Sequence, residues 1–186
     1  MKRIVILASG SGTLAQAIFD AHLDAEIVAV ISDKKDAAVL RRAEKMHIET
    51  FTIPMLPDRA DWARELETLI AALKPDLVVS AGFMRILSER ITSRFKIINS
   101  QPALLPLFHG AHEDRDALVA GATETGTTIH WVDAGVDTGQ VIAQERVEIH
   151  PGDTEESLHE RIKIVERGLI VATIASLLTT LEKTNG

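Results

Sequence analysis

The chain has 186 residues and no cysteine, and its 27 acidic side chains against 20 Lys and Arg give a formal charge of -7. That length suits one domain with a buried core and leaves no room for a second catalytic domain. The acid excess argues against nucleic acid or an anionic membrane as the main partner, and the missing thiols exclude disulfides and thiolate chemistry.

Met1-Lys2-Arg3 followed by Ile4 to Leu7 begins like a secretion signal, but the apolar run stops after about five residues at Ser9-Gly10, too short for a signal core or a membrane span. The default expectation is a cytoplasmic enzyme or binder. Runs rich in valine and isoleucine at 4–8, 27–31, 50–53, 77–80, 96–98 and 128–132 read as strands buried on both faces. The segments between them, 13–23, 36–46, 58–73, 86–94 and 111–120, carry apolar residues at helical spacing. Such alternation predicts an α/β fold: a single-domain, mostly parallel, Rossmann-like sheet with helices on both faces. Residues 140–149 mix apolar and polar side chains in near-alternation, as in a late, half-exposed, antiparallel strand. Thr154-Glu155-Glu156-Ser157 reads as the capped start of a final helix reaching about Leu181. The domain is expected to span 1–182, with 183–186 a frayed tail.

Several clusters carry chemistry. Gly10-Ser11-Gly12-Thr13-Leu14-Ala15 follows the first strand and opens a helix, so its amides can approach a phosphate. The same residues fit a dinucleotide fingerprint with Asp33 as the ribose acid, which leaves a nicotinamide-dependent enzyme open. Arg59 follows Pro57-Asp58 at a helix entrance. Met84-Arg85-Ile86-Leu87 follows an apolar strand and Gly82, where ligands bind in open sheets. Ile97 and Ile98 lead into Asn99-Ser100-Gln101-Pro102. Pro102 and Pro106 are expected to force the chain out of the sheet and leave Asn99 and Gln101 on a stiff loop. After a further strand, the glycines and short acids of Asp133-Ala134-Gly135-Val136-Asp137-Thr138-Gly139 suit an open loop. Lys163 and Glu166 share a helix face, either as a solvated ion pair or as ligand contacts. Seven histidines without ligand-type spacing make a metal site unexpected, and His22, His47, His150 and His159 read as scattered surface residues.

From Ile4 to about Leu177, these ordered motifs resemble the glycinamide ribonucleotide formyltransferase family, the folate-dependent enzymes of purine synthesis. Ser9 to Thr13, Ala81 to Leu87, the Asn99 loop, His130, the Asp137 loop, Lys163 and Glu166 carry the likeness. It implies the formyltransferase fold and transfer of a formyl group from 10-formyltetrahydrofolate, a cosubstrate rather than a bound cofactor, to the amine of glycinamide ribonucleotide. It places the nucleotide at Gly12, Thr13, Leu14, Lys163 and Glu166. It places folate at Arg59, Met84, Arg85, Ile86, Leu87, Asn99, Asp133, Val136 and Asp137, with His130 supporting the Asp137 loop. The partners implied are these small molecules, with neither nucleic acid nor membrane, and the chain is a monomer or homodimer.

The chain departs from the family pattern at two places. Leu14 stands where many members carry asparagine, so only its backbone amide can serve. Gln101 stands where the family has its catalytic histidine, between Asn99 as oxyanion donor and Asp137 as the anion that holds the proton carrier. Glutamine donates a hydrogen bond but does not titrate. Impaired transfer, a silent or slow nucleotide or folate binder, and transfer to another amine all stay open, as does compensation by His109 on the same loop.

Overall fold

In a computed structural model, residues 1–107 and 113–183 are described, the side chains of 182 and 183 excepted. The elements in chain order are β1 (Lys2–Leu7), α1 (Thr13–Asp20), β2 (Ala25–Ser32), α2 (Ala38–Lys45), β3 (Thr50–Thr52), α3 (Arg59–Leu73) and β4 (Leu77–Ser80). There follow α4 (Glu89–Thr92), β5 (Ile97–Gln101), α5 (Glu113–Val119), β6 (Glu124–Trp131), β7 (Val141–Glu148) and α6 (Glu155–Lys183). One seven-stranded sheet has the order β3-β2-β1-β4-β5-β6-β7. The β3-β2, β2-β1, β1-β4 and β4-β5 pairs are parallel, while β5-β6 and β6-β7 are antiparallel.

Side chains alternate across a strand, so β1 feeds two cores at once. Ile4 and Ile6 enter the layer closed by α1, α2 and α6, with Ile18, Val39, Ile170 and Ile174. Val5 and Leu7 enter the opposite layer with Trp62, Leu66 and Ile70 of α3. All four β1 side chains are fully buried, which is why the strand reads as a continuous apolar run rather than an alternating one. Helix α6 is long and apolar enough to cross a membrane by length and composition alone. Here its Leu158, Ile162, Ile170, Ile174 and Leu178 are buried within the domain.

The local signals set the helix starts. Asp58 accepts from the amides of Ala60 and Asp61 at 2.7 and 3.3 Å and caps α3. Thr154 and Ser157 cap α6 reciprocally: Ser157 N donates to Thr154 Oγ1 at 3.1 Å and Thr154 N to Ser157 Oγ at 3.0 Å.

Several expected elements shift. The helix expected over 86–94 shrinks to Glu89–Thr92, because Leu87 is drawn into the α3 layer and Ser88 takes an extended conformation before α4. The first helix ends at Asp20 rather than at 23. Pro102 does not eject Asn99 and Gln101 from the sheet: β5 continues through Gln101, with Asn99 opposite His130 and Gln101 opposite Thr128. The reason is that β6 runs antiparallel alongside and supplies a ladder for the last residues of β5. Helix α6 extends through Lys183, one residue into the expected tail, and 184–186 lie outside the described residues.

Candidate active site

Strand order reverses direction at β1, whose neighbours β2 and β4 are followed by helices on opposite layers, and the chain segments after β1 and β4 diverge there. At that point lies a cavity of about 450 Å³. The turn Gly10 to Leu14 lines one side, Ala81 to Met84 another, and Asn99 to Pro102 the end of β5. Glu113 of α5 and His159, Lys163, Glu166 and Arg167 of α6 complete it.

Gly12 has φ 74° and forms the N-terminus of α1, which has no side-chain cap. A Cβ there would lie 2.6 Å from Val39 Cβ and 2.7 Å from its Cα, so both the left-handed backbone and the contact with α2 require glycine. The amides of the first helical turn have no intrahelical acceptors, and this turn borders the cavity. Arg42 Nε donates to Ser11 O at 2.8 Å and steadies the turn.

The turn is braced to the segment after β4. Ser9 N donates to Gly82 O at 3.0 Å, and Met84 N donates to Ser9 Oγ at 2.8 Å. Arg85 Nε reaches Asp33 Oδ2 at 2.6 Å, with the Asp33 side chain fully buried. Burial pushes the Asp33 carboxyl up, but the Ser9 hydroxyl and the Arg85 guanidinium outweigh it and hold the group below its usual range. Asp33 is thus buried, paired to Arg85 through Oδ2 while Oδ1 is buried without a hydrogen-bond partner among the described residues, and offers no exposed ribose acid for the dinucleotide fingerprint.

On β5, Asn99 Nδ2 lies 3.3 Å from His130 Nε2 on β6. His130 Nδ1 lies 2.9 Å from Trp131 O. A carbonyl only accepts, so Nδ1 carries the hydrogen and Nε2 is turned toward Asn99 and toward Asp137 Oδ1, 3.6 Å away. Asp137 has φ 53°. Its loop is organised by Asp133, whose Oδ1 accepts from Gly135 N at 2.9 Å and Thr138 Oγ1 at 2.7 Å. The Thr138 bond is the main reason the Asp133 carboxyl is held low. Gly139 closes the loop against the strand, where a Cβ would fall 1.6 Å from Trp131 O.

Glu166 is buried, accepts a short hydrogen bond from Ser100 Oγ, and has its carboxyl pushed up, with burial the largest cause. Of the two readings of Lys163 and Glu166, the solvated ion pair is not the arrangement seen: Lys163 Nζ meets Glu160 at 3.3 Å. Gln101 Nε2 donates to Glu113, so its carboxamide is oriented across the cavity toward α5.

The residues expected at the nucleotide therefore come together: Gly12, Thr13, Leu14, Lys163 and Glu166 line one cavity with Asn99, Gln101 and Met84. Arg59, Arg85, Ile86, Leu87, Asp133, Val136 and Asp137 do not line it. Arg59 Nη2 donates to Ile86 O at 3.0 Å, Leu87 is buried, and Met84, Ile86 and Val136 are exposed. His109 lies outside the described residues. His159, expected among the scattered surface residues, lines the cavity and contacts Asp114. Its spacing from Lys163 and Glu166, one and two turns along α6, was the signal that places it on their face. Among the described residues no cluster of His, Asp or Glu has an arrangement that could hold a metal ion.

Residues 2–174 match the family described as Formyl transferase. The chain belongs to that family. A phosphoribosylglycinamide formyltransferase of Mycobacterium tuberculosis is 47% identical over 95% of this chain and 85% of its own length. The Escherichia coli protein of that name is 38% identical over 92% of this chain and 85% of its own. Among solved structures, glycinamide ribonucleotide transformylase 1 from Geobacillus kaustophilus superposes with a TM-score of 0.92 at 39% identity, covering 96% of this chain and 99% of the other.

Proposed function

We propose that this chain transfers the formyl group of 10-formyltetrahydrofolate to the amine of glycinamide ribonucleotide in purine biosynthesis, in the cytoplasm. One observation carries the reading: Asn99 lines the cavity bounded by the Gly12 turn and Glu166, and through His130 it is linked to Asp137 outside that cavity. Asn99 thus stands between an anion-binding turn with a buried carboxylate and a second, separate group of residues around Asp137.

The ribonucleotide phosphate fits the amides of Gly12, Thr13 and Leu14, where helix-terminal donors meet a dianion. Glu166, across the cavity, offers acceptors to ribose hydroxyls, and Lys163 adds a cation to the same wall. Folate lies along Met84 to Leu87 and the Asp133 to Asp137 loop, flanked by Arg59 and Val136. Its formyl carbon meets the amine beside Asn99. The attack builds negative charge on the formyl oxygen, and the Asn99 amide supplies a donor there without changing charge. Asp137 supplies an anion next to it, with Oδ1 3.6 Å from His130 Nε2, and tetrahydrofolate departs as a product.

The test is formyl transfer to glycinamide ribonucleotide by the purified chain, followed by release of tetrahydrofolate. Turnover of about 1–10³ per second is expected of a competent enzyme. Tight binding of both substrates with no transfer, even with protein in excess, would show a binder instead.

A further inference from the structure

We propose that His159, held by Asp114, is the proton-transferring side chain of this cavity, taking the proton of the acceptor amine. The inference rests on the formyl-transfer reading above. Of the histidines among the described residues, His159 lines the cavity that Asn99, Gln101 and Glu166 share. His130, by contrast, is buried with its Nδ1 turned to Trp131 O and its Nε2 turned to Asn99 and Asp137.

The ring of His159 is oriented from behind. Its Nδ1 lies 2.6 Å from Asp114 Oδ2, and the Asp114 side chain is 9% exposed against 42% for that of His159. Burial pushes the Asp114 carboxyl up, and the bond to His159 opposes that; in its ionised form the carboxylate only accepts, so Nδ1 then carries the hydrogen and Nε2 of the neutral ring is left as a proton acceptor. A buried carboxylate behind an accessible imidazole is the arrangement that fixes both tautomer and direction of a general base. Asp114 Oδ1 is buried without a hydrogen-bond partner among the described residues, so the carboxylate is not diverted to a second hydrogen bond. The adjacent residue, Glu113, accepts from Gln101, which ties the α5 end of the dyad to the end of β5 that also carries Asn99. The charged groups around the ring are Asp114 and Glu113 on α5, and Lys163, Glu166 and Arg167 on α6, with Glu155 acting on Asp114.

The step balances. The amine nitrogen bonds to the formyl carbon and its proton passes to His159 Nε2. The bond from the folate nitrogen to that carbon then breaks as the folate nitrogen receives a proton from the imidazolium. Gln101 can orient the intermediate but cannot carry that proton.

The experiment compares the unmodified full chain with His159→Gln and His159→Ala, measuring transfer to glycinamide ribonucleotide across about pH 5 to 9 and nucleotide binding by calorimetry. In His159→Gln, kcat is expected to fall by about 10²–10⁴ while nucleotide affinity changes little, and the shape of the pH profile is expected to change. Free imidazole is expected to restore part of the rate in His159→Ala, an effect that a purely structural role would not give. Equal kcat and an unchanged pH profile in His159→Gln, with the unmodified chain active, would overturn the proposal and leave the formyl-transfer reading standing. So would a rise in KM at constant kcat. No transfer by the unmodified chain would instead overturn the formyl-transfer reading and this inference together.

Discussion

Ser100 on β5 donates its hydroxyl proton to the carboxylate of Glu166 on α6, and this bond joins the sheet to the final helix at the cavity wall. The strand residues on either side, Asn99 and Gln101, reach the same cavity. Strand β5 and helix α6 are thereby fixed to each other at the cavity wall.

Glu166→Gln keeps an acceptor for Ser100 and removes the charge. The folded carboxyl is raised above its unfolded value by burial, so the native state holds the proton more tightly and the ionised group weakens folding as pH rises above the unfolded value of about 4.5. The variant is expected to lose that pH dependence and to melt higher at neutral pH, seen in thermal scans across pH. Ribonucleotide binding is expected to weaken by about tenfold to a hundredfold, the worth of a charged hydrogen bond. An unchanged affinity by calorimetry would remove Glu166 from the nucleotide site.

Asp137→Asn tests the anion beside His130. Asparagine tolerates the left-handed conformation that Asp137 adopts, so the loop is expected to keep its shape. Substrate binding is expected to persist while transfer falls by about 10² or more. Equal kcat would make Asp137 a loop residue only.

Gly12→Ala places a Cβ against Val39 and strains the positive φ. A loss of about 1–3 kcal/mol in urea unfolding is expected, together with loss of inorganic phosphate as a competitor of the ribonucleotide. Retained phosphate competition at normal affinity would place the phosphate elsewhere.

Arg85→Ala strips the buried Asp33 carboxylate of its cation. Because the Arg85 side chain is 35% exposed, the expected cost is about 1–3 kcal/mol, below that of a fully buried pair. The Asp33 carboxyl is held low in the fold, so its contribution is complete above the unfolded value of about 3.8 and is lost as pH falls through the lower folded value. Asp33→Asn is expected to flatten the acid limb of the stability curve, read from urea midpoints below about pH 4.

The layered sheet is legible in the sequence, because a strand stretch buried on both faces, such as Ile4 to Leu7 of β1, must be apolar at every position, and helices must carry apolar residues every three or four. The Gly10 to Leu14 turn is legible there too, since Gly12 meets a local backbone demand, as is the cap of α6 at Thr154. Tertiary structure alone decided that Asn99 and Gln101 lie within a strand, because the antiparallel partner that holds them, β6, begins more than twenty residues away. It decided that Asp33 serves Arg85, that Glu166 serves Ser100, and that His159 faces the cavity beside Asp114. Each of these pairs joins residues far apart in the chain, and no local periodicity encodes which distant carboxylate a side chain will meet.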